Sequence, residues 1–185
     1  MVKNTIDSGN SNTQINGDNN TVNLSINPNK LTKSIIYKLL VIIDNSDISI
    51  SGEFSLKAPA EMNRKLVFNK APKYVHIFAR YAYNLENFSQ VLENCFENSQ
   101  NILVKVANIF DEKAAKFDDN AEYVIDNGDI QLDIVKKNLI FCILNDPRYN
   151  ENEYDDITIE SFVYILMAYT VEKCKILLNP NDVRK

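Results

Sequence analysis

The chain has 185 residues, of which 45% are hydrophobic and 24% charged, and its formal net charge is -5. These values fit one globular domain, or one domain with an appendage, and exclude wholesale disorder and most membrane architectures. An acidic chain has no general attraction for phosphate backbones, and only four Gly leave little material for glycine-rich phosphate loops.

Residues 1–29 differ from the rest. They carry much of the Asn, two of the Gly (Gly9 and Gly17), no aromatic residue and one basic residue, Lys3. They hold an imperfect repeat with a period of about eight: GNSNTQIN from Gly9, then GDNNTVNL from Gly17. Gly and Asn tolerate positive φ, so the repeat reads as turns between short alternating segments. Val22, Leu24 and Ile26 share one face of such a segment. The reading is a β-hairpin or β-roll arm, with a polar leader as the alternative. A lone hairpin is marginal in water, so the arm needs a partner, and Ile15, Val22, Leu24 and Ile26 are its expected contacts.

Residues 30–185 read as a mainly α domain of about six or seven helices. Leu31, Ile35, Ile36, Leu39, Leu40, Ile42 and Ile43 mark a helix ending near Asp44. Asp47–Phe54 alternates like a short strand or an extended connector. Pro59 is expected to open a helix carrying Met62, Leu66 and Val67. Pro72 opens another with Val75, Phe78 and Tyr81, since Pro at the first helical position loses no needed donor. Leu85, Phe88, Val91, Leu92, Cys95 and Phe96 form one stripe. Leu103, Val106, Ile109 and Phe110 form the next, with Ser99 as its expected cap. Residues 118–129 read as a polar loop closing on Asp-Asn-Gly-Asp. Ile134, Val135, Leu139, Cys142 and Ile143 make a further helix, followed by an acidic loop from Arg148 to Asp156. Thr158 is the expected cap of a last helix carrying Phe162, Ile165, Leu166, Tyr169, Cys174 and Leu177 and stopping at Asn179-Pro180.

Nothing in the chain converges on covalent chemistry. The single histidine, His76, has no nucleophile beside it in sequence and reads as a surface or core-edge residue. Cys95, Cys142 and Cys174 lack zinc spacing and are expected as buried thiols in a reducing cytoplasm. Asp118-Asp119, Asp155-Asp156 and Glu151 with Glu153 are paired acids, but they fall in loops and read as a solvated face, with no metal or cofactor expected. Lys57, Arg64, Lys65, Lys70, Lys73 and Arg80 interleave with aromatics and give the one stretch that suits nucleic acid. The competing reading is an amphipathic helix pair with snorkelling basic side chains. The N-terminus lacks the apolar core of a secretory signal, and no window approaches the ~20 apolar residues of a membrane span, so a cytoplasmic location is expected.

Two stretches carry a family likeness. One is EMNRKLVFNKAPKY, Glu61 to Tyr74, following Pro59. The other is ILMAYTVEKCKILLNP, Ile165 to Pro180. Together, over roughly residues 55–180, they resemble the helical C-terminal or accessory domains of ABC-three-component (Lamassu-like) bacterial anti-phage defence systems. The resemblance implies coupling to a coiled-coil ATPase or to an effector subunit. The chain departs from the larger effectors of that family in having only the Asn-rich arm ahead of the helical module, so no catalytic residue carries over.

The expectation is therefore a non-enzymatic adaptor, self-associating partly through its arm. Tyr83, Tyr149 and Tyr154, if exposed, are candidate partner contacts. A nucleic-acid-binding regulator using the 57–80 stretch is the alternative.

Overall fold

A computed structural model describes residues 32–46, 60–96 and 99–181. The β arm of residues 1–29, with Ile15, Val22, Leu24 and Ile26, and the strand expected over 47–54 lie outside the described residues. Among the described residues the fold is mainly helical, with seven α-helices and no strand: α1 (Ile35–Asp44), α2 (Ala60–Phe68), α3 (Pro72–Ala79), α4 (Leu85–Cys95), α5 (Ser99–Lys113), α6 (Gly128–Leu144) and α7 (Asp156–Glu172). A 3-10 turn, Ala82–Asn84, joins α3 to α4.

The centre is α7. Apart from Tyr164, every residue from Ser161 to Val171 is buried. A helix apolar on all sides must be enclosed on all sides, and α2, α3, α4, α5 and α6 all pack against it. The remaining helix, α1, lies on α4 and α6 and buries Ile36, Leu39, Leu40 and Ile43 completely. The stripes read from α4 and α5 supply Leu85, Phe88, Leu92, Leu103, Val106, Ile109 and Phe110 to the same core. Val67, expected inside, is 64% exposed, because α2 turns only Met62, Lys65 and Leu66 inward.

Local chemistry sets the ends. Ser34 caps α1, its hydroxyl accepting from the Ile36 and Tyr37 amides. Pro72 stands at the first turn of α3, as expected. The Asp-Asn-Gly-Asp run is a helix start, not a closing loop: Asn127 Oδ1 accepts the Ile130 amide at 3.1 Å and α6 begins at Gly128. The cap of α7 is Asp155, which accepts the Thr158 amide at 2.7 Å, so Thr158 itself is inside the helix.

Helix α7 also stops earlier than expected. Cys174 takes a left-handed φ of 54°. Its amide donates to Val171 C=O and the Lys175 amide donates to Thr170 C=O. That double closure is a Schellman ending, usually built on Gly. Helix α2 ends the same way on Lys70, φ 56°, with the Lys70 amide on Val67 C=O and the Ala71 amide on Leu66 C=O. The thiol expectation fails for two of three cysteines: Cys95 and Cys174 are exposed and Cys142 is half-buried. No described helix is long and apolar enough to cross a membrane.

Candidate functional site

The basic stretch does not form one surface. Lys57 lies outside the described residues. Lys65 is only 3% exposed, and its ammonium donates to Val171 C=O at 3.1 Å, at the negative end of α7. Lys73 is held by the Asp133 carboxylate, which also accepts the Tyr74 hydroxyl. Burial pushes Asp133 up, but Lys73 and Tyr74 outweigh it and hold the carboxyl below its ordinary range. Arg64, Lys70 and Arg80 are exposed, on α2, its end and the end of α3.

The tyrosines separate as well. Tyr83 is 69% exposed. Tyr149 is half-buried and packs edge-on against Tyr37 at 6.2 Å. Tyr154 is buried and packs edge-on against Tyr37, also at 6.2 Å, so it is a core residue and not a surface anchor.

One acid in each of two pairs, Asp118 and Asp155, has structural employment. Asp118 Oδ1 accepts the Asn120 and Glu122 amides and closes a tight turn, contacts that lower its pKa. Asp155 is the cap of α7. Asp126 pairs with Lys116 at 2.7 Å. Among the described residues no three of His, Cys, Asp and Glu gather in a way that could hold a metal ion.

Two surface features were not read from the sequence. The first is an aromatic platform between α5 and α6. Phe117 and Tyr123 face each other across an isolated antiparallel bridge. Their ring centroids are 4.7 Å apart, and Tyr123 continues the stack onto buried Phe110 at 6.3 Å. The turn between them is fastened by the Asp118 amide on Glu122 C=O and the Val124 amide on Lys116 C=O. The Tyr123 hydroxyl donates to Asp111 at 2.6 Å. Burial first, and Asp111 second, push that phenol up to about 12. Phe117 is nevertheless 48% exposed, Tyr123 42% and Val124 39%. Behind Tyr123 is a cavity of about 110 Å³ reaching Phe110 and the tail residues Cys174–Leu177.

The second feature is a basic groove of about 640 Å³ where the start of α1 meets the α4–α5 junction, lined by Lys33, Lys38, Arg148, Phe96 and Asn101 among others. Arg148 is set in place by Asp146. That carboxylate accepts the Arg148 Nε and NH2 groups at 2.8 Å each, and the Ser34 amide at 2.6 Å. Burial pushes the Asp146 carboxyl up; the contacts to Arg148 and Ser34 prevail and hold it low. The guanidinium also lies over the Tyr37 ring and donates to Ser34 C=O. Lys38 lies over the Phe96 ring.

Compared with protein-family models, curated proteins and solved structures, the chain finds no match.

Proposed function

We propose that this chain is a non-enzymatic binding module, an adaptor that works by holding a partner protein. The observation that carries the reading is the Phe117–Tyr123–Val124 platform. Large apolar side chains left in solvent lose hydrophobic stabilisation that burial would provide. Here they are also fixed in advance: a stacked pair of rings, a closed turn and a tyrosine tied to Asp111. Rigid aromatic anchors lose little conformational entropy on binding, which is the property of interface hot spots. The resemblance of residues 55–180 to Lamassu-like accessory domains points to the same kind of role and suggests its setting, a bacterial anti-phage assembly with a coiled-coil ATPase or effector subunit.

The test is affinity purification of the full chain from its native host, with partners quantified by mass spectrometry. Wild type should retain a stoichiometric protein partner. The double variant Phe117→Ser/Tyr123→Ser should lose it while unfolding with a single cooperative transition. An unchanged partner set in the double variant overturns the platform reading. Turnover of a substrate by purified protein overturns the non-enzymatic one.

Self-association through residues 8–26 belongs to the same proposal, with Ile15, Val22, Leu24 and Ile26 as contacts. Deleting residues 1–29 should lower the mass seen by light scattering; an unchanged mass defeats it.

A further inference from the structure

The geometry points to a second contact between copies of this chain: the basic groove at Lys33, Lys38 and Arg148 receives the acidic loop 150–156 of another copy. The described residues that line it are not those of the platform.

The argument begins with adjacency. Arg148 lines the basic groove, and the next residue, Tyr149, lines a second open cavity of about 640 Å³ with Leu144, Asn150, Glu151 and Asn152. Tyr37 touches both: the Arg148 guanidinium lies over its ring and Tyr149 packs edge-on against it. The surface therefore changes sign across one tyrosine pair. No acidic residue is among the described residues lining the groove. On the other side, Glu151, Glu153, Asp155 and Asp156 are all exposed.

Opposite charges side by side on one molecule make a self-complementary patch, which suits a two-fold interface. Rotating a copy about an axis near Tyr149 lays each loop on the other's groove and makes the same contact twice. Within a single copy these charges are not spent on each other. The ion pairs among the described residues join Lys73 to Asp133, Lys116 to Asp126, Lys136 to Glu160 and Arg148 to Asp146. Lys33, Lys38, Glu151 and Glu153 are absent from that set.

Both walls are also pre-set. Asp146 fixes Arg148 and the Ser34 backbone beside Lys33. Tyr154, buried against Tyr37, roots the loop in the core. The chain is acidic overall, so two copies repel at long range. A cationic groove is the feature that lets an acidic chain meet itself in one orientation, and complementarity of this kind sets register more than raw affinity.

The groove supplies its own reporter, because Cys95 lines it. The experiment uses the full chain carrying Cys174→Ser, which removes the other exposed thiol. Asn152→Cys in that background, oxidised with diamide, should give a disulfide dimer between Cys95 of one copy and residue 152 of the next on a non-reducing gel. Lys33→Glu/Lys38→Glu should cut the dimer by more than about tenfold, since like charges then face each other. Glu151→Lys/Glu153→Lys with Asn152→Cys should fail alone for the same reason. Mixing the groove-reversed chain, without the added cysteine, with the loop-reversed chain that carries it should restore the product, because positions 33 and 38 again face opposite charges at 151 and 153. Absence of the dimer in the parent, or a dimer indifferent to charge reversal, overturns the inference. The same crosslinking repeated on a chain lacking residues 1–29 should still give the dimer, so the two modes of self-association fail separately.

Discussion

The backbone of Gly128 lies so close to the carbonyl oxygen of Asn69 that a Cβ added at position 128 would overlap it. The contact is also a hydrogen bond, Gly128 N–H to Asn69 C=O at 3.0 Å. Asn69 in turn clasps the chain beyond α7: its Nδ2 donates to Leu178 C=O at 2.8 Å and its Oδ1 accepts the Leu178 amide at 2.9 Å. One asparagine thus joins the end of α2, the start of α6 and the tail.

Gly128→Ala follows directly. In an ordinary helix Ala is better than Gly by about 1 kcal/mol. Here the added methyl meets backbone, which cannot swing aside, so the substitution should cost about 1–3 kcal/mol. Urea unfolding monitored by circular dichroism gives the sign. A more stable Ala variant would show that the α2–α6 corner has room to open.

The opposite sign is expected at Lys70 and Cys174. Both hold the left-handed position of a Schellman ending with a side chain attached. A non-Gly residue there costs on the order of 1 kcal/mol or more. Lys70→Gly and Cys174→Gly should each raise the unfolding midpoint. Their gains should add, since they end different helices. A loss at either site would mean that its side chain makes contacts outweighing the backbone cost.

Asp146 should be the most sensitive acid. Its side chain is fully buried and its partner Arg148 only partly so. Asp146→Ala removes one member of that pair and should cost about 3 kcal/mol. The pH dependence has a fixed direction. The folded pKa lies below the ordinary 3.8, so this stabilisation is complete above that value and is lost as pH falls through the depressed one. Unfolding midpoints measured from pH 6 down to pH 2 should fall more steeply in wild type than in Asp146→Asn. Parallel curves would remove Asp146 from the acid response.

Asp155 is a structural acid too. Asp155→Ala should lower the thermal midpoint and Asp155→Asn should largely restore it, because Asn caps nearly as well as Asp. A carboxylate needed for metal would not be replaced by an amide. Equal midpoints for Ala and Asn would remove the capping role.

The sequence revealed the helices well where periodicity was strong. Leu85, Phe88, Leu92 and Phe96, and Leu103, Val106, Ile109 and Phe110, lie in the core as read, although Cys95 of the first stripe is exposed, and Pro72 opens α3. Boundaries were read less well, for identifiable reasons. The stops of α2 and α7 depend on Lys70 and Cys174 at positions where Gly is the usual signal, so α7 was read through to Asn179. Conversely, Gly128 looked like turn chemistry, although its role is closeness to Asn69. The surface was least legible. Lys65 looked like a member of a basic face, yet α2 directs it inward to the end of α7. The platform joins Phe110, Phe117 and Tyr123 through a turn with no periodic pattern. The groove joins Lys33 and Lys38 to Arg148 from far along the chain, a meeting that only the packing of α1 on α6 produces.

That long reach matters during synthesis. Ser34, at the head of α1, finds Asp146 across 112 residues. A ribosome adding about 5–20 residues per second needs roughly 6–22 s to cover that distance. For most of that time Ile36, Leu39, Leu40 and Ile43 have been made while α6 has not. Only α4, made on the way, can shelter that greasy ridge before α6 arrives, which leaves α1 half-covered on the nascent polypeptide and open to a chaperone's hold.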